Sequence, residues 1–157
     1  MNLTPRIALY RGRGTVGWLI KRQTRSVYSH AALLVPGSSD RVLESREFAG
    51  VQLTTLSEYD KTFIDWFAIP DMKPEQYERA FNFAMMQMGM KYDYWSVARF
   101  LTKVPAREND KWFCSELVHK AIAEGGTRLL CRIQSAEVSP GLLSYSPRLM
   151  QVSPPSP

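Results

Sequence analysis

An extended and mostly apolar run, Tyr28-Ser29-His30-Ala31-Ala32-Leu33-Leu34-Val35, leads into Pro36-Gly37-Ser38-Ser39-Asp40 and returns as Arg41-Val42-Leu43-Glu44-Ser45-Arg46. Proline, glycine, serine and aspartate between two such runs are turn chemistry, so the stretch reads as an antiparallel hairpin. That hairpin constrains the fold more than any other part of the chain. Arg6-Ile7-Ala8-Leu9-Tyr10, Val51 to Leu56 and Phe63 to Ile69 read as further strands, giving a compact antiparallel sheet of four or five.

Helical spacing appears elsewhere. Thr15 to Thr24 carries Val16, Leu19 and Ile20 on one side, after a turn at Gly12 and Gly14. Pro74 suits a first helical turn, and Tyr77, Phe81, Ala84, Met85 and Met88 follow at spacings of three and four until Gly89. Its Met85, Met86 and Met88 read as core packing, not as soft metal ligands. Tyr94 to Thr102 reads as a short helix, and Pro105-Ala106-Arg107-Glu108-Asn109-Asp110 as a polar loop. Cys114 to Ala123 forms another helix, with Leu117, Val118, Ala121 and Ile122 on one side and a stop at Gly125-Gly126. The whole is an α+β pattern without internal repeats.

At 157 residues, 45% hydrophobic and 22% charged, the chain fits one domain over residues 1–150, with a proline-rich tail at 151–157 expected to be disordered. No unbroken apolar segment precedes Arg11, and nothing approaches the roughly 18 apolar residues that span a bilayer. The expectation is a soluble, cytoplasmic protein with both cysteines free, Cys131 being a structural thiol on a strand. Residues 1–39 hold Arg6, Arg11, Arg13, Lys21, Arg22 and Arg25 and no acidic residue, within a net charge of +5. Such an end attracts phosphate, an acidic polymer or anionic headgroups, or is simply a solvated face. No zinc-finger spacing, RNA-binding signature or phosphate loop points to nucleic acid, and Arg11-Gly12-Arg13-Gly14 lacks the third glycine and the strand-to-helix setting of a dinucleotide motif. Two separated cysteines and two histidines make no zinc set, and no cofactor is expected.

The chemistry centres on Trp112-Phe113-Cys114-Ser115-Glu116-Leu117-Val118. A cysteine on the first turn of a helix meets free N–H groups and the positive end of the dipole, which favour thiolate and make it a candidate nucleophile. The plain alternative is a small buried hydrophobe. Ser115 and Glu116 read as capping and charging that first turn. A cysteine nucleophile needs a base, and histidine is the usual one. His119 falls about 140 degrees around the helix from Cys114 and does not face it. His30, on the first strand of the hairpin among apolar neighbours, must find a polar partner and is the better base. Glu44, on the returning strand, is placed to orient it, with Glu47 as the alternative if the register shifts by an odd number of residues.

The order of His30, Glu44 and a late Cys114, with Gly89-Met90-Lys91-Tyr92-Asp93 and Val138-Ser139-Pro140-Gly141-Leu142-Leu143-Ser144, resembles the circularly permuted branch of the NlpC/P60 papain-like superfamily, close to the YiiX/YebB-like proteins. The resemblance runs from Ile7 to Val152. It implies a permuted papain-like α+β fold and a cysteine hydrolase in which Cys114 attacks, His30 acts as base and Glu44 orients His30. Ordinary papain-like enzymes place the cysteine first; here the histidine precedes it. The resemblance further implies an oxyanion site at the backbone N–H of Cys114, to which Tyr28, two residues before His30, would add a donor. Its substrates would be peptides or amides, such as cell-wall peptide, or acyl groups carried through the same thioester chemistry, with an anionic substrate suited to the basic end. Small proteins of this kind look like bacterial or phage products. The alternatives are a lipid acyltransferase or thioesterase with the same trio, and a binding module that keeps the fold without catalysis.

Overall fold

A computed structural model describes residues 4–12, 14–94 and 111–156, apart from the side chains of Thr15 and Val16. The chain runs β1 (Arg6–Tyr10), α1 (Thr15–Thr24), β2 (His30–Leu34), β3 (Arg41–Arg46), β4 (Gly50–Thr55), β5 (Ile64–Ala68), α2 (Pro74–Met85), β6 (Lys91–Tyr92), β7 (Lys111–Trp112), α3 (Cys114–Glu124), α4 (Pro140–Ser144) and β8 (Met150–Val152). The expected helix over Tyr94 to Thr102 and the polar loop at 105–110 lie outside the described residues, except for Tyr94.

The main sheet has six strands in the order β4-β3-β2-β1-β5-β8, every pair antiparallel. This is more than the four or five strands expected from the sequence. Gln151 and Val152, assigned to a disordered tail, instead pair with Phe67 and Trp66. A separate parallel pair joins β6 to β7, with Tyr92 opposite Trp112.

Alternation along the strands divides the sheet into two apolar faces. Ile7, Leu9, Ala31, Leu33 and Leu43 pack with α2 and α3 in the larger core, while Ala8, Ala32, Leu34, Val42 and Trp66 form a second cluster on the opposite face. Helix α3 buries Leu117, Val118, Ala121 and Ile122 completely. Each of its branched side chains contributes about 2 kcal/mol on leaving water. Helix α2 stops at Met85 and continues as turns to Gly89, at φ 81. The methionine expectation is corrected there: Met85 packs against the core, but Met86 is 79% and Met88 42% exposed, because the helix ends before they can point inward. Cys131 is also not on a strand; it lies exposed in a bend beside Arg132, whose φ is 63.

Candidate active site

Cys114 is the first residue of α3, preceded by extended Phe113. Its backbone N–H has no acceptor within the helix and faces the positive end of the dipole. Two contacts fix the approach to it. Ser45 of β3 donates its hydroxyl to the Trp112 carbonyl at 2.6 Å, and the Asp93 N–H reaches the same oxygen at 3.2 Å. The β6 side is held in turn to β4, where the Val51 N–H donates to the Met90 carbonyl at 2.9 Å. Gly50 has φ 74 and lies so close to Met90 that a Cβ would collide with its carbonyl. Only glycine allows this approach.

Strand register brings His30 and Glu44 together. Ala32 of β2 stands opposite Glu44 of β3, so His30, two residues earlier, shares the Glu44 face as a diagonal neighbour. His30 Nε2 and Glu44 Oε2 are 2.6 Å apart. Nε2 is thereby committed to the carboxylate, and Nδ1 is the nitrogen left free of it. Burial pulls the His30 pKa down, but Cys114 and then Glu44 outweigh it and push the value up to about 10. Burial raises Glu44, yet hydrogen bonds from His30, Tyr59 and Thr54 and the charge of His30 hold it below the ordinary carboxylate range. A fully buried carboxylate thus holds the imidazole, and Cys114 acts on it electrostatically.

Several partners were invisible in the sequence. Tyr59 donates to Glu44 Oε1 at 2.6 Å, and the Arg46 guanidinium stands 3.9 Å from the same oxygen while lying over the Tyr59 ring. Tyr10 packs edge-on against the His30 ring with centroids 5.1 Å apart. Tyr59 follows a single turn of 3₁₀-helix, Leu56–Glu58, and only the three-dimensional return of that connection under β3 reveals its role. Glu47 sits in the turn after β3 and lines the cavity, so the observed register selects Glu44 as the partner of His30.

Tyr28 does not join the trio. It precedes β2, its ring packs edge-on against Phe67, and its hydroxyl donates to Asp65 Oδ2 at 2.9 Å. Burial first, then the Asp65 hydrogen bond and charge, raises its pKa to about 12. It therefore lacks the free donor expected of it. Glu116 accepts the Phe113 N–H at 3.4 Å, as expected of a first-turn acid. Ser115 does not cap; its buried hydroxyl donates to the Val138 carbonyl at 2.5 Å and ties α3 to the segment before α4. His119 points away from the thiol toward Ser135, 2.8 Å from Nδ1.

Cys114 itself is fully buried among Ile20 of α1, Tyr92 and Phe113. Beside it, His30 opens onto a cavity of about 540 Å³ lined largely by Tyr10, Phe48, Tyr59, Phe63 and Tyr92, with Arg46, Glu47 and Asp60 as its charged members. Gly12 lets the first turn come against Ser29, whose hydroxyl a Cβ would meet at 2.7 Å.

Residues 15–131 match the family model of the permuted papain-like amidase enzymes, YaeF/YiiX, C92 family. The chain belongs to this family. Membership of C92 makes it an enzyme of the papain-like amidase class, a cysteine hydrolase at that level of description. A crystal structure described as metalloprotein yiiX from Escherichia coli O157:H7 shares the fold, with a TM-score of 0.70 over 98% of each chain at 20% identity. No curated protein matches by sequence. The yiiX description names a metalloprotein, but among the described residues of this C92 chain no three His, Cys, Asp or Glu groups gather as an ion's ligands would. No described helix of the C92 chain is long and apolar enough to cross a membrane.

Proposed function

We propose that this C92 protein hydrolyses an amide or peptide bond, with Cys114 as nucleophile, His30 as acid and base, and Glu44 as the residue orienting His30. The observation that carries the reading is the 2.6 Å contact between His30 and Glu44, with Cys114 at a helix start close enough to raise the His30 pKa. In that reading His30 takes the thiol proton as the reaction begins, which leaves negative charge on sulfur and an imidazolium beside it. Sulfur attacks the carbonyl carbon, and the oxygen takes up negative charge near the Cys114 backbone N–H. Collapse expels the amine, which takes the imidazolium proton and leaves a thioester. Neutral His30 then takes a proton from water, whose oxygen attacks the thioester, and returns that proton to sulfur as the acid product leaves. The two free thiols suit a reducing, cytoplasmic setting.

The aromatic lining of the cavity favours a second reading, an acyl group carried on the same thioester to water or to another acceptor. Mass spectrometry of products from an acyl ester with and without an added amine or alcohol separates the two. The trio itself is tested by iodoacetamide alkylation in a Cys131→Ser background, followed by amide turnover. The expected result is rapid labelling of Cys114, with labelling and turnover both falling about 10²-fold or more in His30→Ala. Equal labelling with and without His30 in folded protein sinks the assignment.

A further inference from the structure

Next to the His30 cavity lies a second hollow of about 560 Å³, whose lining includes Arg11, Trp18, Lys21, Arg22 and Val27. Phe63 lines both, so the two adjoin. Trp18 and Val27 are turned to solvent, 58% and 60% exposed. Arg22 lies over the Trp18 ring at 5.7 Å from its centroid. Arg25 follows α1 in left-handed backbone, φ 49, and is exposed. Among the described residues neither Arg22 nor Arg25 has an acidic partner, whereas Arg11 is paired with Asp65 at 3.1 Å. The sequence from 1 to 39 supplies no carboxylate to neutralise them.

We propose that this face of α1, together with Val27 beyond its end, docks on an anionic lipid surface. Trp18 and Val27 enter the interfacial layer while Arg22 and Arg25 meet headgroup phosphates; Lys21, whose ammonium donates to the Gly12 carbonyl at 2.7 Å, adds its charge from behind them. A soluble polyanion needs only the cations and would leave both apolar side chains in water. Single-stranded nucleic acid would stack on Trp18 but has no use for an aliphatic Val27. A tryptophan and an aliphatic side chain ringed by arginines fit the boundary between headgroup and acyl chain, where an amphipathic ring is stable. Docking there would set the adjoining His30 cavity beside the lipid surface. The proposal goes beyond the amidase reading and stands without it.

Sedimentation with vesicles of phosphatidylcholine alone, and of phosphatidylcholine with phosphatidylglycerol in equal amounts, tests it on the full chain. The expected result is salt-sensitive binding to the mixed vesicles only. Brominated lipid should quench tryptophan emission, and Trp18→Phe should remove that quenching. Arg22→Glu with Arg25→Glu should lower partitioning by about 25-fold or more, since each cation near such a surface contributes about fivefold. Arg128→Glu with Arg132→Glu makes the same change in net charge at exposed residues lining a different hollow, and should leave binding nearly intact. Circular dichroism checks that each variant is folded. The proposal is overturned by absence of binding to the mixed vesicles, by equal losses in the two charge-reversed pairs, or by tight binding to a single-stranded oligonucleotide that vesicles do not displace.

Discussion

Both oxygens of the Glu44 carboxylate are engaged, Oε2 by His30 and Oε1 by Tyr59, and the side chain has no exposure to water. A buried charge is tolerable only when so satisfied. Tyr59→Phe should therefore cost about 1.5–3 kcal/mol in denaturant unfolding, the range for a hydrogen bond to a charged group. Glu44→Gln removes one of the influences that hold the proton on His30, so the imidazole titration followed by NMR should move down from about 10. If it does not move, Glu44 is not coupled to His30 in solution. His30 and Glu44 were legible in the sequence because each is a polar group inside an apolar strand and so demands a partner. Tyr59 was not, since a tyrosine in a connection carries no such demand. Tyr28 misled because its position near His30 in sequence says nothing about the turn that sends its hydroxyl to Asp65.

Among the elements, β1, α1 and β3 coincide residue for residue with the sequence reading, because glycine turns, helical spacing and the hairpin turn bound them sharply. β8 was missed: three residues beside prolines, at the sheet edge with one neighbour, make a weak pattern. The pairing of β6 with β7 was equally hidden, being only two residues deep on each side. Yet that pair and its hold on β4 bring Cys114 to its place. Gly50→Ala tests this linkage. A left-handed backbone with a methyl group driven into the Met90 carbonyl should lower stability by at least about 1–2 kcal/mol, seen as a reduced thermal midpoint. A midpoint equal to the parent's would show that β4 and the segment before β6 can separate freely.

For the molecule as a whole, the His30–Glu44 pair makes stability depend on pH in two directions. The folded His30 pKa lies above its ordinary value of 6.5, so its contribution is complete below about 6.5 and is lost as pH rises through about 10. The folded Glu44 pKa lies below its ordinary 4.5, so its contribution is present above that value and lost on acidification. Urea midpoints should accordingly be highest between about pH 5 and 6.5, and His30→Ala should flatten the alkaline fall. An unchanged alkaline slope in that variant would assign the fall to other groups.

The strands at the two ends of the chain, β1 and β8, flank the same neighbour, β5, and the Arg6 guanidinium donates to the Ser153 carbonyl at 3.2 Å. A short linker could therefore run from the end of β8 to the start of β1, and a new opening in the exposed Pro70-Asp71 turn would leave every strand pair intact. Read from that opening, the same molecule would present cysteine, then histidine, then glutamate, the order of ordinary papain-like enzymes. The reversed order is thus a matter of where the thread is cut.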